Sequence, residues 1–182
     1  MSDSNRRRKI ILDFARWAAA SAARQGADVR GRKLYPGIDE IDMDTLTVTT
    51  KDAWTEKEFQ AWHKFQVEKL AEKTGLPVGW AAKILSMVTK VRIYMAREGD
   101  SSLLELIHPP IDNKLIDAIR SRYPLKSESR NPNFKLRELC DQGKPIDGLK
   151  TYEQYARVIE GLRMVAEREG CILFEVESLW RG

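Results

Sequence analysis

The chain has 182 residues, of which 42% are hydrophobic and 32% charged, with a formal net charge of +4 and a pI near 9.1. This length suits one domain with a proper core, and no stretch approaches the ~18 uninterrupted apolar residues that a transmembrane helix requires. The two cysteines, Cys140 and Cys171, match no metal or redox spacing, so we expect free thiols in a reducing cytosol.

The first predicted element is an amphipathic helix over about residues 5 to 25, which Gly26 ends. Its basic start and the alanines that follow are similar to a secretory signal. However, Asp13 and Arg16 interrupt the apolar run, so we expect no export signal. The face predicted to be buried consists of Ile10, Ile11, Phe14, Trp17, Ala18, Ser21 and Ala22.

Residues 26 to 53 are predicted to be irregular and contain an acidic patch from Asp39 to Asp44. The alternation from Leu46 to Thr50 suits a short strand, but an isolated strand has little to pair with, so we expect an extended loop. Residues 1–54 would then form an N-terminal lobe of helix and loop beside a helical core of residues 55–182.

Two strongly signalled helices follow. Thr55 and Glu58 form a capping box that begins the second helix, and Gly75 ends it. Pro77, a favoured first-turn residue, begins a third helix that is predicted to run to about Arg97.

The rest of the chain is also predicted to be helical. Further helices should begin at Ser102, Asp112, Asn131 and Thr151, and end before Pro109, Pro124, Gly143 and Gly170. The tail from Cys171 to Trp180 fits either strand alternation or helical spacing, and we expect a helix. Because nearly every strong signal is helical, the sequence predicts a single all-α domain.

Lys83 is the first candidate for chemistry, because it lies between the apolar residues Ala82 and Ile84. Partial burial would lower the pKa of this lysine and leave more of the free amine, which is a nucleophile. The alternative is a solvated lysine that pairs with a neighbour on the outer face of the helix. Lys90 lies one heptad later on nearly the same face and is the obvious competitor.

Asp112 is the second candidate, and it follows the Pro109–Pro110 pair at a helix N-cap position. A capping carboxylate is held rigidly and kept ionised by the helix dipole, so it can stabilise developing positive charge. Capping alone also explains an aspartate at this position.

The order of these features resembles the helix-hairpin-helix DNA glycosylases, especially the 8-oxoguanine type, over about residues 55 to 120. The features are Leu76-Pro77, a glycine turn, a helix with Lys83, and then Pro110-x-Asp112 opening the next helix. The C-terminal segment from Thr151 to Trp180 is similar to the closing helices of some bacterial proteins with an 8-oxoguanine-glycosylase-like fold. The tight Gly-x-Gly hairpin of that family is missing here, and the interval between the lysine and the aspartate is longer.

The resemblance implies a glycosylase-like helical bundle that excises a damaged or modified base from DNA, with or without an additional AP lyase activity. Lys83 would attack the anomeric carbon while Asp112 stabilises the positive charge. The implied substrate-binding residues are Trp62, His63, Trp80 and His108, of which His108 would orient the carboxylate or contact phosphate. The implied DNA-backbone contacts are Gly75, Gly79 and Lys73. Aromatic residues at helical spacing are also typical of a core.

We therefore expect that the partner is DNA, and a protein partner is the alternative. We expect no membrane partner, no cofactor and no metal, and we expect the protein in the cytoplasm. The alternative function is a non-catalytic helical module with a glycosylase-like fold that binds nucleic acid or protein. A helical adaptor with no nucleic-acid role is a third hypothesis.

Overall fold

A computed structural model describes residues 3–31, 33–48, 53–125, 133–142 and 146–181. These residues form helices and connecting turns, and no strand occurs among them, which confirms the predicted all-α class. Within the same ranges, no helix combines the length and the apolar character that crossing a membrane requires.

Nine α-helices are described, together with one π-helical and two 3₁₀ segments. The α-helices are α1 Asp3–Arg24, α2 Leu34–Asp39, α3 Asp44–Thr47, α4 Glu56–Thr74, α5 Val78–Thr89, α6 Leu103–Leu106, α7 Asn113–Arg122, α8 Phe134–Asp141 and α9 Tyr152–Glu169. The π-helix is Lys90–Met95, and the 3₁₀ segments are Ile146–Gly148 and Leu173–Arg181.

The predicted helix starts are confirmed where a local hydrogen bond defines them. Thr55 and Glu58 form both bonds of a capping box before α4, and Thr151 and Gln154 do the same before α9. The helices α4 and α9 end at glycines in the left-handed conformation, Gly75 with φ 66° and Gly170 with φ 64°. The predicted helical tail is present as the 3₁₀ segment.

Residues 26 to 53 were expected to be irregular, but this segment contains two short helices, α2 and α3. Each helix buries apolar side chains in the core, Leu34 and Ile38 from α2 and Leu46 from α3. Burial of these side chains supplies the stabilisation that the local sequence does not signal. The predicted extended loop at Leu46 and Thr47 is therefore helical, and residues 49 and 50 lie outside the described ranges.

The predicted end of the third helix is also corrected, because α5 stops at Thr89 and continues as the π-helix to Met95. The N–H of Ala96 donates to the carbonyl of Val91, five residues back, at 3.0 Å. This wider winding changes which side chains face the core after Thr89, which a regular helical period does not anticipate.

The predicted buried face of α1 is wrong for its large side chains and confirmed for Ala18. Ile10, Phe14 and Trp17 are 68%, 44% and 56% exposed. The buried residues of α1 are all alanines, namely Ala15, Ala18, Ala19, Ala20 and Ala23. Alanines let two helix backbones approach closely, and α1 packs along α5, which contributes the fully buried Ala81 and Ala82.

The core is centred on α5, which is buried along most of its length. It packs against α1 and α4, and against the Ile146–Gly148 turn and α9. A continuous cluster of buried apolar residues runs from Ala19 in α1 to Val176 in the C-terminal 3₁₀ segment. Lys83 on α5 therefore stands on a rigid, well-supported element.

Candidate active site at the starts of helices α5 and α7

The amine of Lys83 and the carboxylate of Asp112 lie next to each other, although 29 positions separate them in the chain. The distance from Lys83 Nζ to Asp112 Oδ2 is 3.4 Å, and the side chains are 11% and 27% exposed. The structure thus brings together the two candidates for chemistry in a largely desolvated place that solvent still reaches.

Asp112 divides its two oxygens between two tasks. Its Oδ1 accepts a hydrogen bond from the backbone N–H of Leu115 at 2.9 Å, which confirms the predicted N-cap of α7. Its Oδ2 faces Lys83. The cap therefore fixes the orientation of the carboxylate, so that its second oxygen faces the amine.

Trp80 forms a wall beside the amine, with its ring centroid 5.1 Å from Lys83 Nζ. Its indole N–H donates a hydrogen bond to the carboxylate of Asp147, and the side chain is 5% exposed. Gly26 admits the far edge of the ring, because a Cβ on Gly26 would lie 2.6 Å from Trp80 Cη2. Trp80 is consequently fixed on both sides.

The Ile146–Gly148 turn closes the base of this site. The N–H of Gly79 donates to the carbonyl of Leu149 at 3.1 Å, and a Cβ on Gly79 would overlap the carbonyl oxygen of Ile146. The N–H of Ile146 in turn donates to Asn113 Oδ1 at 3.3 Å. The start of α5, the start of α7 and this turn are thereby tied together.

Two residues of the site, Asp147 in the turn and Asn113 at the start of α7, were not predicted from the sequence. Asp147 and Asn113 each fix a neighbour of the lysine–aspartate pair, yet neither carries a local signal. Their contacts join residues 67 and 33 positions apart, so only the folded chain reveals them.

The residues predicted to contact the DNA backbone lie near the α4–α5 turn with intramolecular partners. Gly75 is the left-handed C-cap of α4, and the Gly79 N–H is bonded to Leu149. Lys73 is 52% exposed and pairs with Glu40, with 3.1 Å between Nζ and Oε1. Contact of these residues with phosphate stays a prediction.

Three of the predicted substrate-binding residues belong to a buried cluster of rings. Trp62 donates its indole N–H to the carbonyl of Asp42 at 3.0 Å. The His63 and His108 rings lie 4.4 Å apart, and each Nδ1 is hydrogen-bonded to a tyrosine hydroxyl, His63 to Tyr152 at 2.9 Å and His108 to Tyr155 at 3.1 Å. Within the described chain, no hydrogen bond or ion pair joins this cluster to Lys83 or Asp112.

Both histidines are neutral at physiological pH. Burial lowers the pKa of His63 to about 3. Burial, together with the nearby His63 and Arg163, holds the pKa of His108 well below its ordinary value. The cluster therefore offers polar ring atoms without charge, and it does not act as an acid or base near neutral pH.

Lys90 is engaged differently from Lys83. Its amine lies 2.7 Å from each oxygen of the Glu177 carboxylate, and the two side chains are 21% and 14% exposed. This bidentate pair ties the start of the π-helix to the C-terminal 3₁₀ segment.

Among the described residues, no group of three or more histidine, cysteine, aspartate or glutamate side chains is arranged to hold a metal ion. The two thiols form no disulfide, and burial raises the pKa of Cys140 to about 12, so this thiol is a poor nucleophile.

Comparison with family models, with curated proteins and with solved structures gives no match. The functional argument therefore rests on the geometry of the pair and its surroundings.

Proposed function

We propose that this protein is a DNA glycosylase with AP lyase activity, built as a helix-hairpin-helix glycosylase-like bundle, that removes a damaged or modified base. The observation that carries the proposal is the 3.4 Å separation of Lys83 Nζ, in the second turn of α5, and Asp112 Oδ2, at the N-cap of α7. The Lys83 side chain is only 11% exposed and lies beside a carboxylate that α7 holds in place, so a primary amine and an acid converge on one partly buried spot.

In this mechanism the lone pair of Lys83 Nζ attacks C1′ of the damaged nucleotide while the bond between C1′ and the base breaks. The departing base takes the electron pair and gains a proton from solvent water. Asp112 stabilises the positive charge that develops on the sugar, because its carboxylate is held in place by the N-cap bond to Leu115. Nζ then loses one proton to solvent, its lone pair forms the double bond to C1′ as the C1′–O4′ bond breaks, and O4′ takes a proton from water, which gives a protonated Schiff base.

In this mechanism Trp80 would position the Lys83 side chain and would not stack on the excised base. Its side chain is 5% exposed, and both edges are occupied, by Asp147 and Gly26. It limits the directions in which the Lys83 side chain can extend, so that the amine stays near the carboxylate.

The test is trapping with borohydride, which reduces the Schiff base to a stable link between protein and DNA. Duplexes with an abasic site or an oxidised base should trap the wild-type protein, and Lys83→Gln should abolish trapping. The matched control is Lys90→Gln, which removes a second ion-paired lysine of the same helical rod and should trap like wild type. Equal trapping by Lys83→Gln and wild type would contradict the mechanism.

Asp112→Asn separates the two roles of the aspartate, because asparagine is also a good N-cap. On an oxidised-base duplex it should slow base release by about 10²-fold, since the charge that stabilises the sugar cation is lost. On a duplex with a preformed abasic site, trapping through Lys83 should persist. Loss of both activities would assign Asp112 to folding and not to the excision step.

A second candidate is a non-catalytic helical module that binds nucleic acid or a protein. It is favoured by the structural tasks of the same side chains, since Asp112 caps α7 and its pair with Lys83 ties α5 to α7. This candidate predicts that duplex DNA binds, measured by fluorescence anisotropy, without base release or trapping on any lesion. An adaptor without a nucleic-acid role would show negligible DNA affinity even at low salt.

A further inference from the structure

The outward face of α1 exposes three large apolar side chains at the spacing of one helical face. Ile10, Phe14 and Trp17 stand at positions i, i+4 and i+7, and are 68%, 44% and 56% exposed. The rings of Phe14 and Trp17 stack with 5.7 Å between their centroids. We call these three residues the α1 triad. Single exposed apolar residues are ordinary, but three adjacent ones on one helix mark an interaction surface.

Cations outnumber acidic groups around the α1 triad, where the exposed Asp13 is the acidic neighbour. Arg6, Arg7 and Lys9 are exposed, and no ion pair within the described residues holds any of them. Two other arginines of the helix are paired, Arg8 with Asp44 and Arg16 with Asp39. The free cations thus stand on the side of α1 that faces away from the protein.

The position of these cations within the helix is itself unfavourable. Arg6, Arg7 and Lys9 lie within the first two turns of α1, close to the end where the helix dipole disfavours cations and where Asp3 is the acidic residue of the first turn. An anionic partner at this end would relieve that repulsion, which the described part of the chain does only for Arg8.

The helical period places cations at both ends of the α1 triad. Ile10, Trp17 and Arg24 follow one another at intervals of seven residues along one line of the helix, and Arg7 and Phe14 begin the neighbouring line. The surface is therefore an apolar centre between basic ends. This arrangement is typical of helices that lie in a membrane interface, with aromatic rings inserted and cations at the level of the headgroups.

We propose that α1 binds the surface of an anionic lipid bilayer through the α1 triad and the flanking cations Arg6, Arg7, Lys9 and Arg24. Such binding requires no membrane-spanning helix, and it is independent of the proposed excision chemistry. A bilayer accepts a convex ridge without a preformed groove, and its negative surface potential complements the basic ends.

A second copy of the chain and duplex DNA would each fit this surface less well than an anionic bilayer. A second copy of the chain would bring together two helices that each carry six basic and two acidic residues, so like charges would meet. The phosphate backbone of duplex DNA would satisfy the cations but leaves isoleucine, phenylalanine and tryptophan without an apolar surface.

The experiment is flotation of the full chain with large unilamellar vesicles. One set contains phosphatidylcholine alone, and the other contains phosphatidylcholine with one third phosphatidylglycerol. Wild type should float with the anionic vesicles at low salt and stay behind with the neutral ones. The triple variant Ile10→Ser/Phe14→Ser/Trp17→Ser should lose at least about tenfold in affinity, because the inserted apolar area is gone.

Two matched controls separate this surface from general stickiness. The first control is Phe65→Ser, which removes an aromatic side chain that is 62% exposed on α4 and should bind like wild type.

The charge test is Arg6→Glu/Arg7→Glu, which should lose at least about tenfold in affinity because two cations that the anionic surface attracts are gone. The second control is matched to this charge change. Lys57→Glu/Arg157→Glu makes the same change in net charge at exposed positions on α4 and α9 and should keep binding.

Circular dichroism of each variant would show that the fold is retained, as the exposure of the substituted residues predicts. The proposal is overturned if wild type does not float with anionic vesicles, or if the triple variant floats as well as wild type. It is also overturned if the α1 triad instead drives self-association in sedimentation velocity without vesicle binding. If base release fails in every trapping assay while flotation succeeds, only the proposed enzymatic function is rejected.

Discussion

Two lysines on one helical rod, a heptad apart, meet carboxylates in different ways. Lys90 is chelated by both oxygens of Glu177 at 2.7 Å. Lys83 meets a single oxygen of Asp112 at 3.4 Å, while the other oxygen caps α7. The two amines are comparably shielded, with side-chain exposures of 11% for Lys83 and 21% for Lys90.

The difference shows which lysine its carboxylate partner holds less firmly. A bidentate pair occupies the ammonium group and both carboxylate oxygens, and it has a plain structural use in holding the C-terminal segment. A longer, single contact leaves the amine less committed, and its carboxylate is fixed by a bond that does not involve the lysine. Sequence spacing treats the two positions alike, so this distinction comes from the partners.

The largest expected effect is a loss of stability at low pH that the two buried histidines cause. The two ion pairs must therefore be compared above the pH range in which this loss occurs. Below pH 6.5 the unfolded chain binds protons at His63 and His108 that the folded protein does not bind, because burial lowers both pKa values. The free energy of unfolding should therefore fall as pH decreases from this value, by about 1.4 kcal/mol per pH unit for each histidine. For His63 the fall continues to a pH of about 3.

Urea unfolding between pH 7 and pH 5 measures this slope, a range in which most carboxylates stay ionised. The variant His63→Gln/His108→Gln should flatten it. An unchanged slope in that variant would mean that the two histidines do not cause the acid sensitivity.

The next effect ranks the two ion pairs directly. Lys90→Met leaves Glu177, which is 14% exposed, without its cation on either oxygen, and should lower the free energy of unfolding by about 2 kcal/mol. Lys83→Met should cost only about 1 kcal/mol, because Asp112 is 27% exposed and keeps its bond to Leu115. Urea unfolding at pH 7.5 gives both values. A greater cost for Lys83→Met would reverse the comparison and favour a structural role for that pair.

A smaller effect isolates the cap from the charge at Asp112. Asp112→Asn keeps an N-cap acceptor, whereas Asp112→Ala removes it, so the alanine variant should be less stable than the asparagine variant by about 1 kcal/mol. Thermal and urea unfolding would measure the difference. Equal stabilities would show that the 2.9 Å bond to Leu115 contributes little, and that the ion pair is the main task of Asp112 in folding.

The smallest effect is expected for exposed residues of α1, and it shows how little the free energy of unfolding changes when a substituted side chain has no buried partner. Substitution of Ile10, Phe14 or Trp17 by serine should change the free energy of unfolding by less than about 0.5 kcal/mol each, because these side chains are exposed. A loss of 2 kcal/mol or more for any of them would mean that the outward face of α1 supports the fold, contrary to its exposure.

The sequence by itself determined the all-α class and most helix boundaries. The capping boxes at Thr55 and Thr151, the cap at Asp112 and the terminators Gly75 and Gly170 depend on hydrogen bonds between residues only a few positions apart. Local sequence contains all the groups that such bonds require, so local sequence predicts them. It also singled out Lys83 and Asp112 as candidates for chemistry.

Only the tertiary structure decided what those residues meet. The contact between Lys83 and Asp112, the turn residue Asp147 behind Trp80, and the burial of α2 and α3 all depend on partners distant in the chain. The buried face of α1 was decided by the close approach of α5, which selects small alanines such as Ala19 over large side chains such as Trp17. Helical periodicity shows which residues share a face, but the neighbouring helix determines which face is covered.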